Sequence, residues 1–167
     1  MDEQIAHLAR RLGELLLERA QSVATAESCT GGMIAAALTD IAGSSAWFGY
    51  GMVSYSNQAK QDLLGVHAAT LTEHGAVSEA VVREMAAGAR ARAGADWAIA
   101  VSGIAGPGGG SASKPVGTVW VGLAGPEGVG QAFVCHLDGD RAAVRQQTVQ
   151  IALGRLLALL ESSSLSA

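Results

Sequence analysis

The sequence predicts an α/β fold: a three-layer α/β/α sandwich with a mixed, mostly parallel sheet of about five strands, in one domain. Three observations predict it. Short apolar runs alternate with helix-period segments over the first two thirds of the chain. The last third reads as a hairpin followed by a helix, which adds at least one antiparallel strand. Finally, 167 residues, 49% hydrophobic and 16% charged, suffice for one buried core and argue against disorder.

Each element follows in order. Ile5, Leu8, Leu12, Leu15 and Leu16 recur at spacings of three and four, which predicts an amphipathic helix over 3–20. Ser22-Val-Ala-Thr-Ala reads as a buried strand ending near Glu27. A tight glycine turn, Ser28-Cys-Thr-Gly-Gly32, leads into a helix from Met33. Phe48 to Ser56 alternates like a strand, and Asn57 to Leu64 is a short helix stopped by Gly65. Ser78 caps a helix over 79–93, with Val81, Val82, Met85, Ala86 and Ala89 inward and Gly94 as its stop. Residues 97–102 form a central strand that enters the glycine-rich loop 103–110. Strands 118–124 and 131–137 flank Gly125-Pro126-Glu-Gly128 as a hairpin. Asp138 or Asp140 caps a last helix over about 140–160, and residues 162–167 are expected to fray.

Composition narrows the function classes. Eleven Lys and Arg are scattered among fifteen Asp and Glu, for a net charge of −4, so a nucleic-acid surface is not expected. Cys29 and Cys135 are too few for a disulfide framework or a four-ligand zinc site, and the four His show no close metal spacing. No apolar run approaches the ~20 residues of a membrane span, and the N-terminus lacks the pattern of a secretory signal. The expectation is a cytoplasmic protein without metal or other cofactor.

In an open α/β sheet, ligands bind beyond the carboxyl ends of the strands, where 28–32, 54–60 and 103–110 should meet. Ser28 falls between strand and helix, facing the same space as the amides of Thr30, Gly31 and Gly32. Such amides lack intrahelical partners and can hold an oxyanion or a phosphate. Position alone equally fits a plain capping role for Ser28 or Thr30. Cys29 is intrinsically the stronger nucleophile but can point into the core.

A serine needs a base, and a buried lysine of lowered pKa can serve; Lys60 lies five residues after Tyr55, which could relay the proton or orient the ammonium group. Lys60 also fits a solvated helix position. The loop Gly103-Ile-Ala-Gly106-Pro-Gly-Gly-Gly110 matches neither a P-loop nor a dinucleotide fingerprint, so it suggests close backbone approach to a ligand, or a flexible surface loop. Ser111-Ala-Ser-Lys114 fits the S-x-x-K pattern, but Pro115 disfavours the helix that pattern needs. Arg141 and Arg145 share a helix face, and either could reach a phosphate.

Taken together, Ala26-Glu-Ser-Cys-Thr-Gly-Gly32, Val53-Ser-Tyr-Ser-Asn57 with Lys60, His74-Gly-Ala-Val-Ser78, Ser102-Gly-Ile-Ala-Gly-Pro107 and Lys114-Pro-Val-Gly-Thr118 resemble the CinA C-terminal domain family. The resemblance runs from about residue 5 to 160 and implies a mixed-sheet α/β/α fold. It also implies deamidation of nicotinamide mononucleotide to nicotinate mononucleotide and ammonia, in pyridine-nucleotide recycling. By resemblance Ser28 is the nucleophile and Lys60 its base, with Tyr55 and Arg141 in support. The 28–32 amides would stabilise the oxyanion, and the glycine-rich loop, through Gly103 and Gly106, would hold the ribose phosphate with Arg141. Family members often carry a further N-terminal domain; this chain looks like the stand-alone form, and relatives suggest a homodimer. The rival readings are a non-catalytic nucleotide-binding or regulatory domain, and an amidase of other substrate range using Cys29.

Overall fold

A computed structural model describes residues 2–163; the rest of the expected frayed tail, 164–167, lies outside the described residues. Asp2 caps the first helix, α1 (Glu3–Glu18), by accepting from the amides of Gln4 and Ile5. The chain continues through β1 (Val23–Glu27), α2 (Met33–Thr39), β2 (Phe48–Val53) and α3 (Asn57–Leu64). After these come α4 (Ala68–His74), α5 (Glu79–Ala93) and β3 (Trp97–Gly103). The hairpin β4 (Thr118–Ala124) and β5 (Gly130–His136) leads into α6 (Arg141–Ser162).

The described strands form one sheet in the order β2-β1-β3-β4-β5. β1 pairs parallel with both β2 and β3, whereas β4 pairs antiparallel with β3 and β5. Four strands therefore point one way and β4 runs against them, the mixed sheet expected. From β1 the chain moves outward to β2, then returns past β1 to β3. The carboxyl ends of β1, β2 and β3 thus meet at a switch in winding direction, where an open α/β sheet leaves a crevice.

The two faces of the sheet are unequal. Val23, Trp97, Ile99, Val101, Val119, Val121 and Leu123 pack against α1, α2 and α6 in one core. The alternate positions are small: Ala24, Ala26, Ala98 and Ala100 face α5 in the other. Small side chains let that helix layer approach closely. A Cβ on Gly122 would lie 2.5 Å from the Val82 carbonyl oxygen, and one on Gly88 only 1.8 Å from that of Leu64. The second contact fixes α3 on α5.

Local chemistry sets the boundaries. Ser56, Ser78 and Asp140 accept from amides in the first turns of α3, α5 and α6, so of the two candidate aspartates Asp140 is the cap. β2 is shorter than its alternation suggests. Ser54 leaves the ladder with its amide on the Glu27 carbonyl at 2.8 Å, turning the chain toward α3. α4 has no counterpart in the sequence reading, because seven residues with one buried apolar side chain, Leu71, give no helical period. α6 outlasts its expected end. Arg19 donates to the Leu160 carbonyl at 2.6 Å and to the Ser163 hydroxyl at 3.2 Å, holding the last turn against α1.

Candidate active site

Ser28 follows β1 directly, its amide held by the Val101 carbonyl of β3 at 3.1 Å. Its hydroxyl faces Lys60, carried on the first turn of α3. The Lys60 Nζ lies 3.1 Å from Ser28 Oγ, 3.0 Å from the Ser54 carbonyl and 3.1 Å from the Tyr55 carbonyl. The Ser28 hydroxyl is also 3.5 Å from the Tyr55 carbonyl. Lys60 is 1% exposed, so the solvated-helix alternative does not hold for it.

Burial without an acid beside it disfavours the charged form of this amine. Among the described residues no carboxylate pairs with Lys60, and desolvation pulls its pKa below the ordinary lysine value, opposed by the facing Cys29. A neutral amine has two hydrogens and one lone pair. In that form the two carbonyls, which only accept, can take the hydrogens and leave the lone pair for the Ser28 hydroxyl, which can donate. The geometry suits removal of a proton from Ser28.

The turn after Ser28 differs from expectation. The Gly31 amide is already spent on the Ser28 carbonyl at 3.1 Å. The start of α2 is not open to a ligand either, because Glu27, 1% exposed, occupies it. Its carboxylate accepts from the amides of Ile34 at 2.8 Å and Ala35 at 3.0 Å and from the Thr30 hydroxyl. A buried anion thus neutralises the positive end of α2, excluding a phosphate from it. Among the described residues the amides of Cys29, Thr30 and Gly32 make no backbone–backbone hydrogen bond. Gly31 and Gly32 adopt φ of +58° and +106°, which favour glycine.

Tyr55 enters the site through its carbonyl. Its phenol points elsewhere, accepting from Arg141 Nη2 at 3.2 Å, and no hydrogen bond joins it to Lys60 or Ser28, so the geometry does not support a proton relay. Arg141 also donates to the Gly106 carbonyl at 2.7 Å, bridging the β2–α3 and β3–β4 loops. Gly106 has φ of +85°, and a Cβ there would meet Val116 at 2.5 Å. Arg145 does not line the cavity that holds Ser28 and Lys60; it donates to the carbonyls of Cys29 and Thr30.

A cavity of about 230 Å³ holds Ser28, Lys60, Tyr55, Gly103 and Arg141 together. Its apolar wall is Ala76, Val77 and Ala105, with Asn57 and Ser102 as further polar lining. An adjoining space of about 700 Å³, also bounded by Ala105 and Arg141, extends to Pro107, Val116 and Arg145. A cavity of about 440 Å³ under α1, α2 and α6 contains none of these residues and is lined mostly by apolar side chains.

Cys29 also borders the small cavity, but it is 6% exposed and burial pushes its thiol up to about 11. A thiol so far from ionisation is a poor nucleophile at neutral pH, which removes the main support for the cysteine alternative. The sequence reading missed Ser102, Asn57 and Glu27. Ser102 sits near the end of the central strand, 1% exposed, and lines the small cavity.

Comparison with known proteins assigns the chain to a family. The CinA C-terminal domain model matches residues 5–160. The chain belongs to the CinA C-terminal domain family. It is 53% identical over 155 residues to a protein of Escherichia coli (strain K12) named nicotinamide-nucleotide amidohydrolase PncC, covering 93% of this chain and 94% of that one. The crystal structure of competence/damage inducible protein CihA from Agrobacterium tumefaciens is 49% identical, with TM-score 0.91, covering 93% of this chain and 95% of that one. That of competence damage-inducible protein A from Klebsiella pneumoniae is 42% identical, with TM-score 0.92, covering 96% and 99%. Among the described residues no helix is long and apolar enough to cross a membrane.

Proposed function

We propose that this chain hydrolyses the carboxamide of nicotinamide mononucleotide to nicotinate mononucleotide and ammonia, through an acyl-serine at Ser28 with Lys60 as base. The substrate is suggested by the name of the relatives that match nearly the whole chain, nicotinamide-nucleotide amidohydrolase. The observation that carries the mechanism is the 3.1 Å approach of a buried, uncompensated Lys60 amine to the Ser28 hydroxyl.

In this reading the Ser28 oxygen bonds to the carboxamide carbon as its proton passes to Lys60. The C–N bond then breaks, and the Lys60 ammonium returns that proton to departing ammonia. Water attacks the acyl-serine, giving a proton to Lys60; the C–Oγ bond breaks and Ser28 regains its proton. The amides of Cys29 and Thr30 support the oxyanion, in place of the Gly31 amide. The pyridine ring lies against Ala76, Val77 and Ala105, the Ser102 hydroxyl is free for the substrate, and Arg141 holds the phosphate at the junction of the two cavities. Tyr55 positions Lys60 by its carbonyl and Arg141 by its phenol.

The family resemblance further implies a cytoplasmic homodimer, which sedimentation of the purified chain tests. A net charge of −4 supports a small-molecule partner over nucleic acid. The reading is tested by incubating the protein with nicotinamide mononucleotide and assaying both products. Equimolar nicotinate mononucleotide and ammonia are expected from wild type and neither from Ser28→Ala. Binding without turnover would favour the non-catalytic nucleotide-binding alternative.

A further inference from the structure

Arg145 spends its charge in an unusual way. It reaches from the second turn of α6 to the nucleophile turn, Nε donating to the Cys29 carbonyl at 3.0 Å and Nη2 to the Thr30 carbonyl at 3.2 Å. No carboxylate pairs with it among the described residues. A Cβ on Gly31 would lie 3.3 Å from its Nη2, so the guanidinium lies against this turn.

The consequence follows from peptide geometry. In a planar trans peptide the C=O and the next N–H point in opposite directions. Holding the Cys29 carbonyl toward Arg145 therefore turns the Thr30 N–H away from it. Holding the Ser28 carbonyl on the Gly31 amide, at 3.1 Å, likewise fixes the Cys29 N–H. These two amides make no backbone–backbone hydrogen bond among the described residues and follow Ser28 directly in the chain. A cation on the carbonyl side also polarises the peptides and strengthens their N–H groups as donors. On the other side of the turn, Glu27 takes the Thr30 hydroxyl and the Ile34 and Ala35 amides of α2, so that of the amides left over, those of Cys29 and Thr30 stand nearest Ser28 in the chain.

Resting on the acyl-serine reading above, we propose that Arg145 is a positioning residue, which holds the Cys29 and Thr30 amides in the orientation that receives the oxyanion. It acts through the turn.

The test compares Arg145→Met and Arg145→Lys with wild type, using an uncharged alkyl fluorophosphonate as well as nicotinamide mononucleotide. The probe forms an Oγ–P bond at Ser28 as fluoride leaves and Lys60 takes the proton, and its P=O oxygen uses the same amides as an oxyanion. Losing a donor outright typically costs about 100- to 1000-fold, so misdirecting the pair should slow both kcat and labelling on the order of 10- to 100-fold in Arg145→Met. Arg145→Lys, able to reach one carbonyl, should be intermediate. KM for the nucleotide should hold within about 3-fold, and the acid limb of the rate profile should not move, since Lys60 is untouched. Equal labelling rates, or a loss confined to KM, would overturn the role given to Arg145. Failure to label Ser28 in wild type would instead sink the nucleophile reading. Labelling that depends on Arg145 without ammonia release would sink only the substrate.

Discussion

Replacing Lys60 by Met probes the base directly. Methionine keeps an unbranched side chain one heavy atom shorter, so the niche between Ser28, Ser54 and Tyr55 stays largely filled while the amine is lost. In the structure the amine stands 3.1 Å from the Ser28 hydroxyl, and no other basic side chain hydrogen-bonds that hydroxyl among the described residues. A positioned base contributes about 10²- to 10⁴-fold, or about 3–5 kcal/mol of barrier, and that loss should appear in kcat. The assay is ammonia release from nicotinamide mononucleotide under saturating substrate, with circular dichroism to confirm the fold.

The pH dependence carries a second signature of the same amine. Burial lowers the folded-state pKa of Lys60 below its unfolded value. Between the two values the unfolded chain binds the extra proton, so stability should rise with pH across that window up to the ordinary lysine range. The acid limb of kcat/KM should likewise fall below that range. Both features should vanish in Lys60→Met. Turnover within 10-fold of wild type, or an unchanged stability profile, would refute the assignment.

Other perturbations separate the site from its support. Cys29→Ala should keep turnover within a few-fold, and iodoacetamide at neutral pH should react slowly, because burial holds the thiol near 11; rapid inactivation by alkylation would restore the cysteine alternative. Gly88→Ala should destabilise by about 1–3 kcal/mol, since its Cβ would lie 1.8 Å from the Leu64 carbonyl; it should also weaken activity through α3, and an unchanged Tm would contradict the packing described. Thr25→Val should stabilise by about 1 kcal/mol, because the buried Thr25 hydroxyl lacks a partner; a lowered Tm would show that it is satisfied.

What could be read from the chain beforehand depended on range. Periodicity and glycine stops placed α1, α3 and α5 because those signals are local, and the order of short apolar runs gave the mixed sheet. α4 escaped because one buried leucine in seven residues leaves no pattern. The pairing of Ser28 with Lys60 was accessible through motif resemblance; spacing alone left Lys60 open to a solvated reading. Glu27 was illegible as a cap, since it lies seven and eight residues before the amides it binds and in the strand, outside the usual capping position. The contacts of Arg145 with the nucleophile turn span more than a hundred residues of sequence, so only folding reveals them. Arg141 and Arg145 look alike in sequence, yet their partners differ.

The most direct test of the account is rapid acid quench of wild type reacting with nicotinamide mononucleotide, followed by peptide mass analysis. The account predicts a transient adduct on the peptide containing Ser28, heavier by the substrate less ammonia, and its absence in Ser28→Ala. Full turnover in Ser28→Ala, or an adduct mapped to Cys29, would contradict it.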